Sequence, residues 1–265
     1  MRDIEKITSR DNRRLANARK IRDGKEPTRI FVEGRRLAEE ALRSKLEFDE
    51  CFVVEGFRGD DLIEAFSVRT DRIAELPERI FQTIADTNQP QGIVVIAKRP
   101  ETSSVEIESR LPSGGLPIVV FLKEVNNPSN LGAILRTAEA ADVAGVILSE
   151  KSADVFSPKA LRAAMGASFR LPIWENVRFT EVLEWANRRN LITTASDISD
   201  GETHIKTDWT LPRLLIFGSE AHGLDETNLA SVSEKIRIPM ANEVESLNLA
   251  VSAGIILFEA KRQNS

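Results

Sequence analysis

The sequence holds one cysteine, Cys51, and two histidines, His204 and His222. A lone cysteine excludes an intrachain disulfide, and within Cys51-Phe52-Val53-Val54 it reads as core filler. The histidines stand apart from other ligand types, so no metal site is expected. No apolar run approaches the ~18 residues of a membrane span. Met1 to Lys25 is charged throughout, so neither membrane anchor nor signal peptide is expected, and the compartment implied is the cytoplasm. No Gly-x-Gly-x-x-Gly follows an apolar strand, which disfavours dinucleotide oxidoreduction.

What is present is charge, unevenly spread. The 265 residues carry a formal charge of -5, and a chain of this length can fill two cores. Residues 1–36 nevertheless hold twelve Lys and Arg against six Asp and Glu. The basic residues cluster at Arg10, Arg13, Arg14, Arg19, Lys20, Arg22 and again at Arg35 and Arg36. Binding to phosphate depends on the face presented rather than on the total, so this end is the candidate polyanion surface, with Arg13, Arg14, Arg35 and Arg36 its leading residues.

The pattern breaks into two α/β parts. In the first hundred residues a basic helix (11–22), a strand (30–33), a helix (35–44), a strand (51–54), a helix (60–66) and a strand (92–97) follow one another. Residues 100–115 are polar, with Pro100, Pro112 and Ser113-Gly114-Gly115, and read as a linker between a domain at 1–99 and another at 116–265. Beyond it, apolar strands near Ile118, Gly145, Leu191, Leu214 and Ile236 alternate with helices, one bracketed by Ser157-Pro158 and Gly166. Buried strands alternating with helices imply a mostly parallel sheet.

Three blocks lie at strand ends in the second part, where open parallel sheets place ligands. The first, Asn127-Pro128-Ser129-Asn130 with Arg136 six residues later, joins the strand Ile118–Leu122 to a helix with Leu131, Ile134, Leu135 and Ala138 on one stripe. Asn130 is a candidate helix cap or ligand contact. Arg136 offers a planar fork to a phosphodiester or carboxylate, or to a surface acid. The second, Gly218-Ser219-Glu220, ends the apolar run Leu214 to Phe217, where a glycine lets backbone approach a ligand closely and Glu220 projects beside it. The third runs from Ile238-Pro239-Met240 to Ser246-Leu247-Asn248 and opens the apolar helix from Leu249 to Ala260, with Ser246 as the N-cap candidate. A helix start of this kind also presents free amides to an anion.

In that order and at those separations, the blocks resemble the three signature motifs of the SpoU/TrmH family of RNA ribose 2'-O-methyltransferases, members of the knotted SPOUT superfamily. The resemblance implies a catalytic set of Asn130, Arg136, Glu220, Ser246 and Asn248. It also implies S-adenosylmethionine held by Gly218, Ile238 and Leu247, with Thr194, Ala195 and Met240 as neighbours. Ile30 to Arg36 looks like the start of the family's substrate-binding domain, similar to kink-turn-binding ribosomal proteins, which makes the basic amino-terminal end an RNA surface. The family often carries Asp where this chain has Asn127. The implied fold is a small α/β RNA-binding domain plus a mostly parallel SPOUT domain with a trefoil knot. The implied partners are RNA, ribosomal in preference to transfer RNA, and a second copy of the chain through the carboxyl-terminal domain. A base-methylating SPOUT enzyme and a catalytically inactive RNA-binding homologue are the alternatives; the former lacks the Asn and Arg pair of the first motif. His222, inside the second motif, is at most an RNA contact.

Overall fold

A computed structural model describes residues 4–111, 115–197, 200–242 and 244–265. The chain divides into two compact units, Met1–Glu101 with Val155–Arg170, and Thr102–Asp154 with Leu171–Ser265.

The first unit contains β1 (Glu5–Lys6), α1 (Arg13–Arg22), β2 (Arg29–Glu33), α2 (Arg35–Leu42), β3 (Phe48–Val54), α3 (Asp60–Arg69), β4 (Ile73–Leu76), α4 (Glu78–Ile84) and β5 (Ile93–Lys98). Its sheet runs β1-β4-β3-β5-β2, parallel across the first three strands and antiparallel on both sides of β5. Side chains alternate between faces along each strand. Phe31, Phe52, Val94 and Ile96 accordingly pack with Leu15, Ala18 and Ile21 of α1 and Ile80, Phe81 and Ile84 of α4. Ile30 and Val32 face the other way, toward α2. Asn12 starts α1 by accepting the Arg14 amide at 2.8 Å.

The stretch bracketed by Ser157-Pro158 and Gly166 is helical as expected, α7 (Pro158–Ala164), but it packs against β2 in this first unit. Arg162 pairs with Asp86 at 2.7 Å and Arg170 with Glu40 at 2.6 Å. A Cβ on Gly166, at φ +91°, would lie 2.7 Å from Glu40 Cβ.

The second unit contains α5 (Ser104–Arg110), β6 (Leu116–Leu122), α6 (Pro128–Ala141), β7 (Val143–Ser149), β8 (Ile173–Val177), α8 (Phe179–Arg188), β9 (Ile192–Ser196), β10 (Glu202–Thr203), β11 (Arg213–Phe217), α9 (Glu226–Ala230), β12 (Glu234–Arg237) and α10 (Leu249–Gln263). All seven strands are parallel, in the order β10-β12-β9-β11-β6-β7-β8. The supposed linker is only partly one. α5 lies within it, and Ile107 is buried in the core of this unit with Val119, Phe121 and Ile147. The heptapeptide has two apolar residues, Val105 and Ile107, but at a spacing of two they fall on different faces and only Ile107 is buried, which leaves too small a stripe to read as a packed helix. Residues 112–114 lie outside the described residues.

The strand order reverses at β6. The chain leaves it outward through β7 and β8, then returns to the other side, where β11 inserts between β6 and β9. Such a reversal leaves a crevice at the carboxyl ends of the strands. Among the described residues, no helix is long and apolar enough to cross a membrane.

Candidate active site

The crevice is a cleft of about 570 Å³ at the carboxyl ends of β9, β11 and β12 and the start of α6. Pro128 opens α6 and Asn127 caps it, accepting the Ser129 amide at 2.9 Å. Asn130 is therefore free of capping duty and lines the cleft. Its Nδ2 donates to Glu220 Oε1 at 3.2 Å, and its Oδ1 accepts from Asn248 Nδ2 at 3.1 Å. The Asn126 amide also donates to Glu220 Oε2, at 3.4 Å.

Asn248, not Ser246, caps α10, accepting the amides of Ala250 at 2.9 Å and Val251 at 3.4 Å. The helix begins at Leu249, which puts Asn248 one residue before the first turn and Ser246 too far back to reach it. This cap sets the polarity of the whole chain of bonds. The helix amides claim the oxygen of Asn248, so its NH2 must donate to Asn130, whose own NH2 then donates to a carboxylate that can only accept. Ser246 lines the cleft beside this chain.

The loop after β11 closes on itself. Ser219 N–H donates to Gly223 O at 3.1 Å and Gly223 N–H to Ser219 O at 2.9 Å. A Cβ on Gly218 would sit 2.1 Å from the Gly223 carbonyl carbon and 2.5 Å from the Leu224 nitrogen. Gly218 lines the cleft, but the space that a side chain would take is filled by the loop's own backbone. A bulky residue there would break the loop rather than only block a ligand.

Of the other expected cofactor contacts, Ile238, Met240 and Leu247 line the cleft and Thr194 and Ala195 do not. Both of the latter are fully buried inside β9. Thr194 Oγ1 accepts from Arg213 Nη1 at 2.8 Å, and that buried guanidinium also pairs with Glu234 at 2.5 Å. The cleft wall at this strand is one step further on, at Ser196 and Asp197. Sequence reasoning missed these two; the signal available was their position at the very end of an apolar strand.

Arg136 is exposed and lies about 120° around α6 from Asn130, outside the cleft. It has no hydrogen bond or ion pair among the described residues, so no surface acid claims it. His222 lies on the cleft rim. On α10, Ala253, Ile256, Leu257 and Ala260 are buried, whereas Val251, Ile255 and Phe258 are 51%, 37% and 50% exposed and share one stripe.

The amino-terminal arginines do not form one patch. Arg14 is held by Glu5 and Glu50, each at 2.5 Å. Arg35 is held by Glu39 at 3.1 Å and by the carbonyl of Arg58 at 2.9 Å. Arg13 and Arg36 are exposed and have no such partner among the described residues.

Residues 117–258 match the model of the SpoU rRNA methylase family, and residues 31–103 match that of the RNA 2'-O ribose methyltransferase substrate-binding domain. The chain is 31% identical, over 98% of its length and 95% of the relative's, to an uncharacterized tRNA/rRNA methyltransferase of Synechocystis. It is 26% identical to a 23S rRNA guanosine 2'-O-methyltransferase of Bacillus subtilis, over 97% of this chain and 100% of that one. The AdoMet-bound rRNA methyltransferase of Sinorhizobium meliloti superposes with a TM-score of 0.84 at 28% identity, covering 98% of both chains.

Proposed function

The chain belongs to the SpoU rRNA methylase family, and from that premise we propose that it methylates a ribose 2'-hydroxyl of ribosomal RNA in the cleft at the carboxyl ends of β9, β11 and β12. The observation that carries this reading is convergence. Asn130, Glu220 and Asn248 come from blocks spread over more than a hundred residues and meet in one hydrogen-bonded chain.

The cofactor of the family is S-adenosylmethionine. The residues present fit it. The cleft has the volume of a small-molecule site, with apolar walls at Leu224, Ile238, Met240 and Leu249 for a flat heterocycle and polar groups at Ser196, Asp197 and Ser246 for hydroxyls and an amino-acid end. Gly218, Ile238, Met240 and Leu247 would hold it, with Thr194 and Ala195 supporting the wall from beneath. When bound, it supplies a methyl group activated by the adjacent sulfonium.

Asn130, its polarity fixed from both sides, keeps one N–H for a substrate oxygen. Glu220 is an acceptor within its reach, so the hydroxyl proton passes to Glu220 or to an RNA phosphate oxygen. Arg136 holds the neighbouring phosphate and stabilises the developing alkoxide. A guanidinium is protonated throughout the accessible range and does not act as the base. Positioning and fixed charge supply the rate.

The same reading pairs two chains through the carboxyl-terminal domain, so that Arg136 reaches the partner's cleft. Two features support this: the exposed stripe of Val251, Ile255 and Phe258, and an arginine left outside the cleft of its own chain. The knotted threading of the SPOUT domain and a cytoplasmic location belong to this proposal, as does a division of labour in which the first unit binds substrate and the second carries catalysis. RNA engages the first domain through its arginines; of the four expected contacts, Arg13, Arg14, Arg35 and Arg36, Arg13 and Arg36 have no side-chain partner among the described residues.

The test is methyl transfer from labelled S-adenosylmethionine to ribosomal RNA and, separately, to transfer RNA, followed by nucleoside digestion. Label in a 2'-O-methylated nucleoside from ribosomal RNA is expected. Label in a methylated base, or none in RNA, would overturn the proposal.

A further inference from the structure

The first unit carries a groove of about 610 Å³ beside α1, floored by the amino ends of β2 and β3. Five cations line it, Arg13, Arg14, Lys20, Arg29 and Arg72, against three carboxylates, Glu26, Asp49 and Glu50. The excess is positive in a chain whose total charge is -5. Each carboxylate is also already occupied. Buried Glu50 is held by Arg14 at 2.5 Å and Arg72 at 2.6 Å, Asp49 by Arg29, and Glu26 by the amide and hydroxyl of Thr28 at 3.0 and 2.5 Å. The Thr28 bonds, more than any neighbouring cation, hold the Glu26 carboxyl below its ordinary range.

What is left over is a row of donors. Arg13, Asn17 and Lys20 stand at i, i+4 and i+7 on one face of α1. All three are exposed, line the groove, and have no side-chain hydrogen bond or ion pair among the described residues. At 1.5 Å per residue the row is roughly 10 Å long, enough for two or three successive phosphates. In the same groove Arg14 Nη2 is buried without a partner among the described residues, and buried polar groups are ordinarily paired. Ala16 and Ile96 are the apolar residues of the lining, too few for the core of a protein interface.

We infer that this groove is a docking site for the phosphate backbone of the RNA substrate, with Arg13, Asn17 and Lys20 as its contacts and Arg14 spent mainly on holding Glu50. The inference rests on the reading of the chain as an RNA methyltransferase. It separates two contacts that the sequence joins. Arg29, at the start of β2, borders the groove, whereas Arg36 follows the far end of that strand on a helix packed against the other face of the sheet. The groove and Arg36 therefore act as independent sites.

The test measures binding of a 23S rRNA transcript to the full chain across a salt titration. Each phosphate contact contributes about 0.7 to the slope of log affinity against log salt for single strands and about 0.9 for duplex. The double variant Arg13→Ala/Lys20→Ala should flatten the slope by about 1.4 to 1.8. Asn17→Ala should lower affinity with the slope kept, and adding Arg36→Ala should subtract a further, independent increment. Arg14→Ala is a poor probe because it strips buried Glu50 of a partner. S-adenosylmethionine binding, followed by calorimetry on the same samples, should not change. A wild-type slope in the double variant, with the wild-type protein methylating the transcript, would overturn the groove and leave the enzyme assignment standing. If the wild-type protein neither binds nor methylates RNA, the assignment fails first.

Discussion

Asn248 has two jobs that substitution can separate. Its oxygen caps α10 and its NH2 donates to Asn130 at 3.1 Å. Asn248→Ala removes both. Loss of an Asn cap costs about 0.5–2 kcal/mol, typically ~1. For a protein of this size class, ~1 kcal/mol lowers the thermal midpoint by about 2–4 °C. Asn248→Asp removes only the second job. Aspartate caps as well as asparagine and is favoured at a helix start by the dipole, so the midpoint should stay near wild type. Asn130 would then lie between two carboxylates, the introduced one and that of Glu220, and its one amide cannot donate to one side without turning its oxygen on the other. Losing a hydrogen bond to a charged group costs about 1.5–3 kcal/mol. If that loss is felt in the transition state, kcat/KM falls on the order of 10- to 100-fold. Thermal unfolding by circular dichroism and single-substrate methyl transfer measure the two effects. An Asn248→Asp variant with wild-type turnover refutes the orienting role of the amide chain, and an Asn248→Ala variant with an unchanged midpoint refutes the cap.

Four further outcomes can be measured, three bearing on the cleft and one on the core of the first unit. Gly218→Ala forces a Cβ into the Gly223 carbonyl and should lose both loop order and cofactor affinity; Ile238→Trp, placed on the cleft wall, should lose affinity by calorimetry with the circular dichroism spectrum retained, and unchanged affinity would show that the cleft is not the cofactor site. Arg136→Ala should cut turnover ~10²-fold or more, as loss of a charge-stabilising contact does, and Arg136→Lys should fail too, because a point charge does not replace the fork. If two chains share each site, Arg136→Ala mixed with Ile238→Trp should regain part of the activity on subunit exchange, and a monomeric mass with full activity rules that arrangement out. Burial pushes the Cys51 thiol up to about 12, so alkylation at neutral pH should be negligible until the first unit unfolds, and rapid labelling of native protein would contradict its place in the core.

Local sequence determined a great deal here. The apolar runs at Ile118 and Leu214 are strands because only elements buried on both faces tolerate such continuity, and Pro128 with Asn127 sets the start of α6 through fixed φ and a side-chain cap. The motif residues were legible for the same reason: their chemistry lies in residue type and short spacing. Tertiary structure alone decided who partners whom. Nothing local tells that Asn248 rather than Ser246 caps α10, that Thr194 is spent on a buried arginine nineteen positions away, or that the Gly218 void is filled by Gly223. Nor does it tell that Arg14 is neutralised by Glu50 of the sheet while Arg13, its neighbour in sequence, is left without a partner among the described residues. Adjacent residues on a helix point about 100° apart, so one meets the sheet and the other meets solvent. The placement of Val155–Arg170 in the first unit is of the same kind, because its pairs with Asp86 and Glu40 join residues far apart in the chain, which no window of neighbouring residues contains.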